Sequence, residues 1–234
     1  MLVLAVETST PQTSVALGGE QGVIGSVVVS WSRGHSEVTV PAIDRLLEWS
    51  EIDLDQIGGV AVGLGPGLFT GLRIGISTAK GLAQVLGVPM VGIGSLDVLA
   101  FSVRYGRERI CSVLDAKRGE VFWAFYRSVP GGVTRETEPA VGPPSRLAAE
   151  IEASGEETLL VGSGALLNRR EFHRDAPRVD FASATNAFPL AVWLLELAVP
   201  RFYREETSMP NEVQPLYLRK SDAEINWDRR ARSA

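Results

Sequence analysis

Cysteine and histidine are nearly absent from this chain of 234 residues, which has one of the first and two of the second. A single Cys111 excludes an internal disulfide framework and any zinc cluster built on cysteines. It stands in the apolar run 110–114, where a small buried side chain is expected. His35 and His173 lie far apart in sequence, and a metal site built on both would require them to meet. Positive charge is also in deficit, 23 Lys and Arg against 28 Asp and Glu, for a net charge of −5. A chain with that balance is a poor candidate for holding RNA or an anionic membrane alone. No apolar run is long enough to span a bilayer, and the opening MLVLAVETSTP lacks the basic residues that start a signal peptide. A cytosolic location is therefore the expectation. No Gly-Lys-Ser/Thr follows a glycine loop at P-loop spacing, and no G-x-G-x-x-G is complete, because Leu68 stands where the third glycine belongs.

What is present is organised around residues 58–93. Residues 60–62 form a short apolar run between glycines and read as a buried strand. Gly65-Pro66-Gly67 cannot continue it, since proline removes a ladder donor and glycine opens other backbone conformations. A helix then runs from Leu68 or Phe69 to Leu86, with Gly87 as its stop and Pro89 just beyond. Residues 90–93 form the next strand, giving a parallel βαβ unit. The loop entering the helix is either a tight turn or an anion seat at the positive end of the helix dipole. Along the helix, Gly67, Gly71, Gly75, Ala79 and Ala83 recur every fourth position and form one thin stripe. Glycine inside a helix costs about 1 kcal/mol relative to alanine, so close approach of another backbone is expected there. That backbone belongs either to the chain's own fold or to a partner.

The rest of the first half reads as strands at 2–6, 14–17 and 23–29, the last two joined as a hairpin through Gly18, Gly19 and Gly22. A helix over 41–49 opens at Pro41 and buries Ile43, Leu46 and Leu47. The order is β-β-β-α-β-α-β. The hydroxyl-rich turn Glu7-Thr8-Ser9-Thr10 between the first two strands suits a phosphate with its metal, or side-chain bonds to its own backbone. Helix 95–105 starts with Ser95 as N-cap, and Gly106-Arg107-Glu108 marks a domain boundary. Strands at 109–114 and 121–126 flank Asp115-Ala116-Lys117-Arg118-Gly119-Glu120. A helix follows at 145–153, a strand at 158–161 ending in Gly162-Ser163-Gly164, and a helix at 187–197. Pro215 to Arg219 is an ordered piece in a polar tail, and residues 226–234 read as frayed.

Glu7-Thr8-Ser9, Arg33-Gly34-His35-Ser36-Glu37, the run from Gly65 to Gly75 with Phe69-Thr70, Asp115 to Val121, and Pro215 to Arg219 together resemble the TsaB (YeaZ) family over nearly the whole chain. That family serves the threonylcarbamoyl modification of the adenosine beside the tRNA anticodon. The resemblance implies an α/β, actin/Hsp70-like fold of two lobes, here 1–105 and 106–225, each a mixed sheet flanked by helices. The related TsaD transferase holds a metal through H-x-x-x-H; Ser95 and Leu99 stand at the corresponding places, and serine and leucine are not comparable ligands. The implied role is a non-catalytic subunit that organises and activates a TsaD-like transferase, in a complex with a TsaE-like ATPase, with tRNA contacted mainly through partners. Pairing through the first-lobe helices, with TsaD or as a homodimer, would use Ile43, Leu46, Gly71, Gly75, Ala79 and Ala83. No cofactor is required in this reading. Binding of ATP or ADP would draw on Glu7, Ser9, Gly65, Gly67 and Asp115, and an ATPase or small-molecule kinase of the same fold is the alternative, with Gly162-Ser163-Gly164 as its second phosphate loop. A peptidase has no nucleophile–base pair to stand on.

Overall fold

The computed structural model describes residues 1–30, 34–106 and 108–219. The chain begins with strands β1 (Leu2–Glu7), β2 (Gln12–Gly19) and β3 (Gly22–Ser30), then helix α1 (His35–Ser50), β4 (Ile57–Gly63), α2 (Phe69–Leu86), β5 (Met90–Ile93) and α3 (Ser95–Ser102). The five strands form one sheet in the order β3-β2-β1-β4-β5. β1 pairs antiparallel with β2 and parallel with β4, and β4 pairs parallel with β5, so the β4–α2–β5 crossover expected from sequence is present. Gly87 ends α2 in the left-handed conformation (φ 67°), which glycine adopts without the strain a Cβ would add.

The second half supplies β6 (Arg109–Lys117), β7 (Glu120–Val129), β8 (Gly132–Arg135), β9 (Ala140–Gly142), α4 (Pro144–Ser154), β10 (Thr158–Val161), α5 (Ser163–Leu167), α6 (Arg169–Asp175), β11 (Val179–Phe181) and α7 (Ala191–Tyr203). Its sheet runs β11-β10-β6-β7-β8, with β9 also on β7. β6 and β7 are longer than the apolar runs predict, because the ladder continues to a two-residue turn at Arg118-Gly119, both at positive φ.

Three boundaries differ from the sequence reading. Helix α1 starts at His35, with Pro41 inside it rather than at its first turn. Proline there removes a single intrahelical donor, and burial of Thr39, Ala42, Ile43 and Leu46 outweighs that loss. Gly94, not Ser95, is the N-cap of α3, and the helix stops at Ser102. The last helix is 191–203 instead of 187–197, since Ala184–Asn186 forms a separate short 3₁₀ turn.

The division at residue 106 also needs correction. Helix α7 packs on the first sheet: Ala191, Leu194, Leu195, Ala198 and Phe202 share a core with Val3, Ala5, Ala16, Ala61 and Val91. The chain beyond α7 stays with the first lobe. Met90 and Ser208 exchange backbone hydrogen bonds of 3.0 and 2.8 Å, Leu216 N–H donates to the Leu64 carbonyl, and Val213 joins the core on the sheet's other face. The expected frayed tail 226–234 and residues 31–33 lie outside the described residues. Among the described residues no helix is long and apolar enough to cross a membrane.

Candidate functional site

The carboxyl ends of β1 and β4 face the second lobe, and the turn 8–11 after β1 meets the start of α2 there. Glu7, the last residue of β1, is fully buried. Its Oε1 accepts the Ser9 N–H at 2.7 Å and its Oε2 accepts the Ser95 hydroxyl at 3.1 Å. Ser95 Oγ in turn accepts the Gly65 N–H at 3.2 Å, and the Ser95 N–H donates to the Gly65 carbonyl at 2.8 Å. The Gly65–Pro66 bond is cis. The carboxyl group fills the space a side chain on Gly63 would need. Glu7 and Gly65 thus form a sealed strut tying the β1–β2 turn, the glycine loop and α3, and neither presents a group to the cleft. Leu99, one turn after Ser95, is buried in the core of the second lobe.

Burial pushes the Glu7 pKa above its ordinary 4.5, and the hydrogen bonds from Ser9 and Ser95 offset this only in part. The folded state therefore holds this proton more tightly than the unfolded chain. The resulting stability is complete below 4.5 and is lost as pH rises through the folded value. Glu7→Gln keeps an acceptor for Ser9 and offers Ser95 a donor, so the variant should melt higher than wild type at neutral pH, with the gap closing toward pH 4. Thermal unfolding of both proteins across that range checks it; parallel pH profiles would refute the buried-acid assignment.

The turn is fastened to α2 along the thin stripe. Thr8 Oγ1 donates to the Gly71 carbonyl at 2.8 Å, and Leu68 N–H donates to the Ser9 carbonyl at 2.7 Å. A Cβ on Gly67 would overlap the Ser9 carbonyl, one on Gly71 the Thr8 carbonyl, and one on Gly75 the Thr8 hydroxyl. His35 braces the start of β2, its Nδ1 2.7 Å from Thr13 Oγ1, and burial holds its pKa below the usual value. His173 lies in the second lobe against Phe181, so the two histidines do not meet.

Ser9, Gly67 and Asp115 do come together, lining a cavity of about 160 Å³ between the lobes with Leu114, Lys117 and Ser163. That is below the roughly 300 Å³ at which small-molecule sites begin. The Ser9 hydroxyl is itself buried, without a hydrogen-bond partner. Asp115 is occupied by its neighbour: it accepts the Lys117 N–H at 2.8 Å and pairs with Lys117 Nζ at 2.7 Å. Gly162-Ser163-Gly164 packs tightly on β6, where a Cβ at Gly162 would overlap the Val113 carbonyl, and it opens a helix of only five residues. Among the described residues no group of three or more His, Cys, Asp or Glu could hold a metal ion.

The interface expected from the stripe is corrected by this packing. Gly71, Gly75, Ala79 and Ala83 face the β1–β2 turn and the first-lobe core, and Ile43 and Leu46 lie in that same core, at 4% and 2% exposure. None of the six is available to a second chain. Away from that core the two adjacent helices expose Trp49 and, on the opposite flank of the helix, Val40 on α1, and Ser77, Gly81 and Val85 on α2. Nothing lies within 4 Å of where a Gly81 Cβ would be. Gly81 falls outside the fourfold stripe, and Trp49 sits among polar residues, the signals by which this face could have been found. At the start of α2 the tail is pinned by Tyr217, whose ring stacks on Phe69 at 5.0 Å and whose hydroxyl accepts from Arg73 Nε at 3.2 Å.

The family description of TsaD, tRNA N6-adenosine threonylcarbamoyltransferase, matches residues 19–227. The tRNA threonylcarbamoyladenosine biosynthesis protein TsaB of Escherichia coli (strain K12) is 31% identical over 227 residues, covering 95% of this chain and 96% of its own. The chain belongs to the TsaB (YeaZ) family. The solved structure of YeaZ from Pseudomonas aeruginosa superimposes with a TM-score of 0.79 at 30% identity, covering 93% of this chain and 99% of that one. A ROK hexokinase from Thermus thermophilus superimposes at 0.52 with 12% identity, covering 88% of this chain and 100% of that one, a likeness of fold alone. The chain therefore has the actin/Hsp70-like architecture. The sealed Glu7 strut occupies the end of β1, beside the cleft between its lobes.

Proposed function

We propose that this TsaB-family chain is the non-catalytic subunit that holds and activates a TsaD-like transferase, in the complex that adds the threonylcarbamoyl group to the adenosine next to the tRNA anticodon. The state of the cleft acids carries this reading. Phosphoryl or acyl transfer needs an acid or base aimed at the reacting atoms. Here Glu7 is sealed behind the turn and Asp115 is neutralised by Lys117. The cavity that Asp115 lines is small for a nucleotide. A partner, by contrast, has a prepared surface. The outer sides of α1 and α2 expose Trp49 and Val85, and α2 carries there Gly81, a glycine that the chain's own packing does not require. The TsaD-like subunit docks on that face, a TsaE-like ATPase joins the same complex, and tRNA is held mainly by the partners, in keeping with the net charge of −5.

Co-expression with a TsaD-like protein tests the reading: an equimolar complex should elute from size exclusion, and modification of tRNA should need both chains. Calorimetry of the isolated chain with ATP and Mg²⁺ should show neither tight binding nor turnover. Micromolar binding with hydrolysis would instead support an ATPase or kinase of the same fold, with Ser9, Gly67 and Asp115 as its site.

A further inference from the structure

Positive charge is scarce in this chain, and many of its arginines are spent on carboxylates close by, as Arg127 is on Glu136 and Glu156 and Arg204 on Glu206. Helix α6 departs from that habit. It reads RREFHRD, and a helix turns about 100° per residue. Arg169, His173, Arg170 and Arg174 therefore follow one another round an arc of about 140°, and all four are exposed. Phe172 lies on the buried side, and Glu171 and Asp175 fall between it and the basic arc. Asp175 reaches back to pair with Arg174 at 2.6 and 2.7 Å. Among the described residues Arg169 and Arg170 pair with no carboxylate. Arg169 is braced by rings instead. Its guanidinium sits 4.8 Å over the Phe181 ring, the His173 ring lies 4.8 Å from the same ring, and Arg169 Nε donates to His173 Nε2 at 3.4 Å. Asp180, the exposed acid beside Phe181, belongs to the other face of the sheet, since successive strand residues alternate. Two uncommitted guanidinium groups thus stand next to an ordered stack of cation and rings.

We propose that this basic face of α6 binds RNA, with its arginines on phosphates and the Arg169–His173 stack against an unstacked base. The inference rests on the reading of the chain as a subunit of a tRNA-modifying complex, and adds to it a contact made by this chain itself. Arginine's fork of donors matches phosphate, and the splayed bases of single-stranded loops stack on guanidinium and imidazole groups. An acidic protein surface would use the cations and leave the stack idle. Two free arginines do not hold an RNA against a net charge of −5, so the face is an auxiliary contact to RNA already gripped by a partner. It lies on the second lobe, whereas the outer faces of α1 and α2 belong to the first, so the two contacts use different lobes.

Binding of a labelled tRNA to the purified complex with the TsaD-like protein, over a series of salt concentrations, tests the proposal. Arg169→Gln with Arg170→Gln should weaken binding about tenfold at low salt and make the slope of log affinity against log salt shallower by about 1.4, two phosphates at roughly 0.7 each. The charge-matched pair Arg127→Gln with Arg204→Gln should bind as wild type does. Arg169→Lys should keep the slope but lose about threefold in affinity, because an ammonium restores the charge and not the stacking plane. Elution of each variant with the partner as an equimolar complex reports separately on the reading beneath. An unchanged affinity and slope in the double variant, or an equal loss in the charge-matched pair, would overturn the inference and leave the scaffold role standing. A double variant that no longer forms the complex would make this face a protein surface and overturn it as well. A wild type that forms no complex would remove both. If the double variant misfolds, Arg170→Cys carrying a photo-crosslinker should label the tRNA in the complex, since Cys111 is buried, and silence there would overturn the inference.

Discussion

Gly71→Ala should cost the isolated chain about 3 kcal/mol, the sum of overpacking against a backbone carbonyl and loss of a buried hydrogen bond, less the gain in helix propensity. For a chain of this size that lowers the melting temperature by roughly 5–10 °C. The reason is local: the added methyl would occupy the place of the Thr8 carbonyl oxygen, and the carbonyl of Gly71 accepts the Thr8 hydroxyl. Gly75→Ala should cost about half as much, because the atom it meets is a hydroxyl that can rotate away. Thermal or urea unfolding of the two variants ranks them. If both melted like wild type and only lost a binding partner, the stripe would be a docking face after all, and the packing described here would be wrong.

Gly81 lies on the same helix and should behave in the opposite sense. Its Cβ position is open, so Gly81→Ala should raise stability by about 1 kcal/mol, the ordinary gain for alanine over glycine in an exposed helix. Gly81→Trp should leave the melting temperature near that of wild type but weaken binding to the TsaD-like partner about tenfold or more, the consequence of a bulky group forced into a closely packed contact. Trp49→Ala should weaken it as well, since a 71% exposed tryptophan on the neighbouring helix is a typical anchor residue. Calorimetric titration of each variant against the partner measures this. An unchanged dissociation constant for both Gly81→Trp and Trp49→Ala would remove the outer helix face from the proposed function. Loss of binding without loss of stability at Gly81, and the reverse at Gly75 and Gly71, six and ten residues earlier, separates the two sides of a single helix.

Why the sequence showed one side and not the other is a matter of range. The β4–α2–β5 unit was legible because its signals are local: glycine at the strand end, proline in the loop, Gly87 at the helix stop. The thinness of the stripe was legible too. What faces it was not, because the surface opposite Gly71 and Gly75 is Thr8, more than sixty residues earlier, and periodicity reports a face without its neighbour. The start of α1 was missed because Pro41 has two readings, first turn or tolerated interior, and only the packing of Thr39 decides between them. Among the site residues, Ser9, Gly67 and Asp115 do converge. Glu7 read as a cleft acid because it ends a strand before a hydroxyl-rich turn; the serine that captures it, Ser95, comes eighty-eight residues later. Short-range chemistry named the groups, and long-range contacts set what they can do.

The return of α7 to the first sheet has a consequence for how the chain is made. The sheet from β1 to β5 leaves the ribosome early, yet the helix that shields Val3, Ala5, Ala61 and Val91 is encoded near the other end. Until that helix emerges, one side of the nascent sheet stays greasy and uncovered, a state in which chains are prone to aggregate or engage chaperones. The first lobe is thus completed last, and it is not an independent module that could be cut at residue 105 and kept.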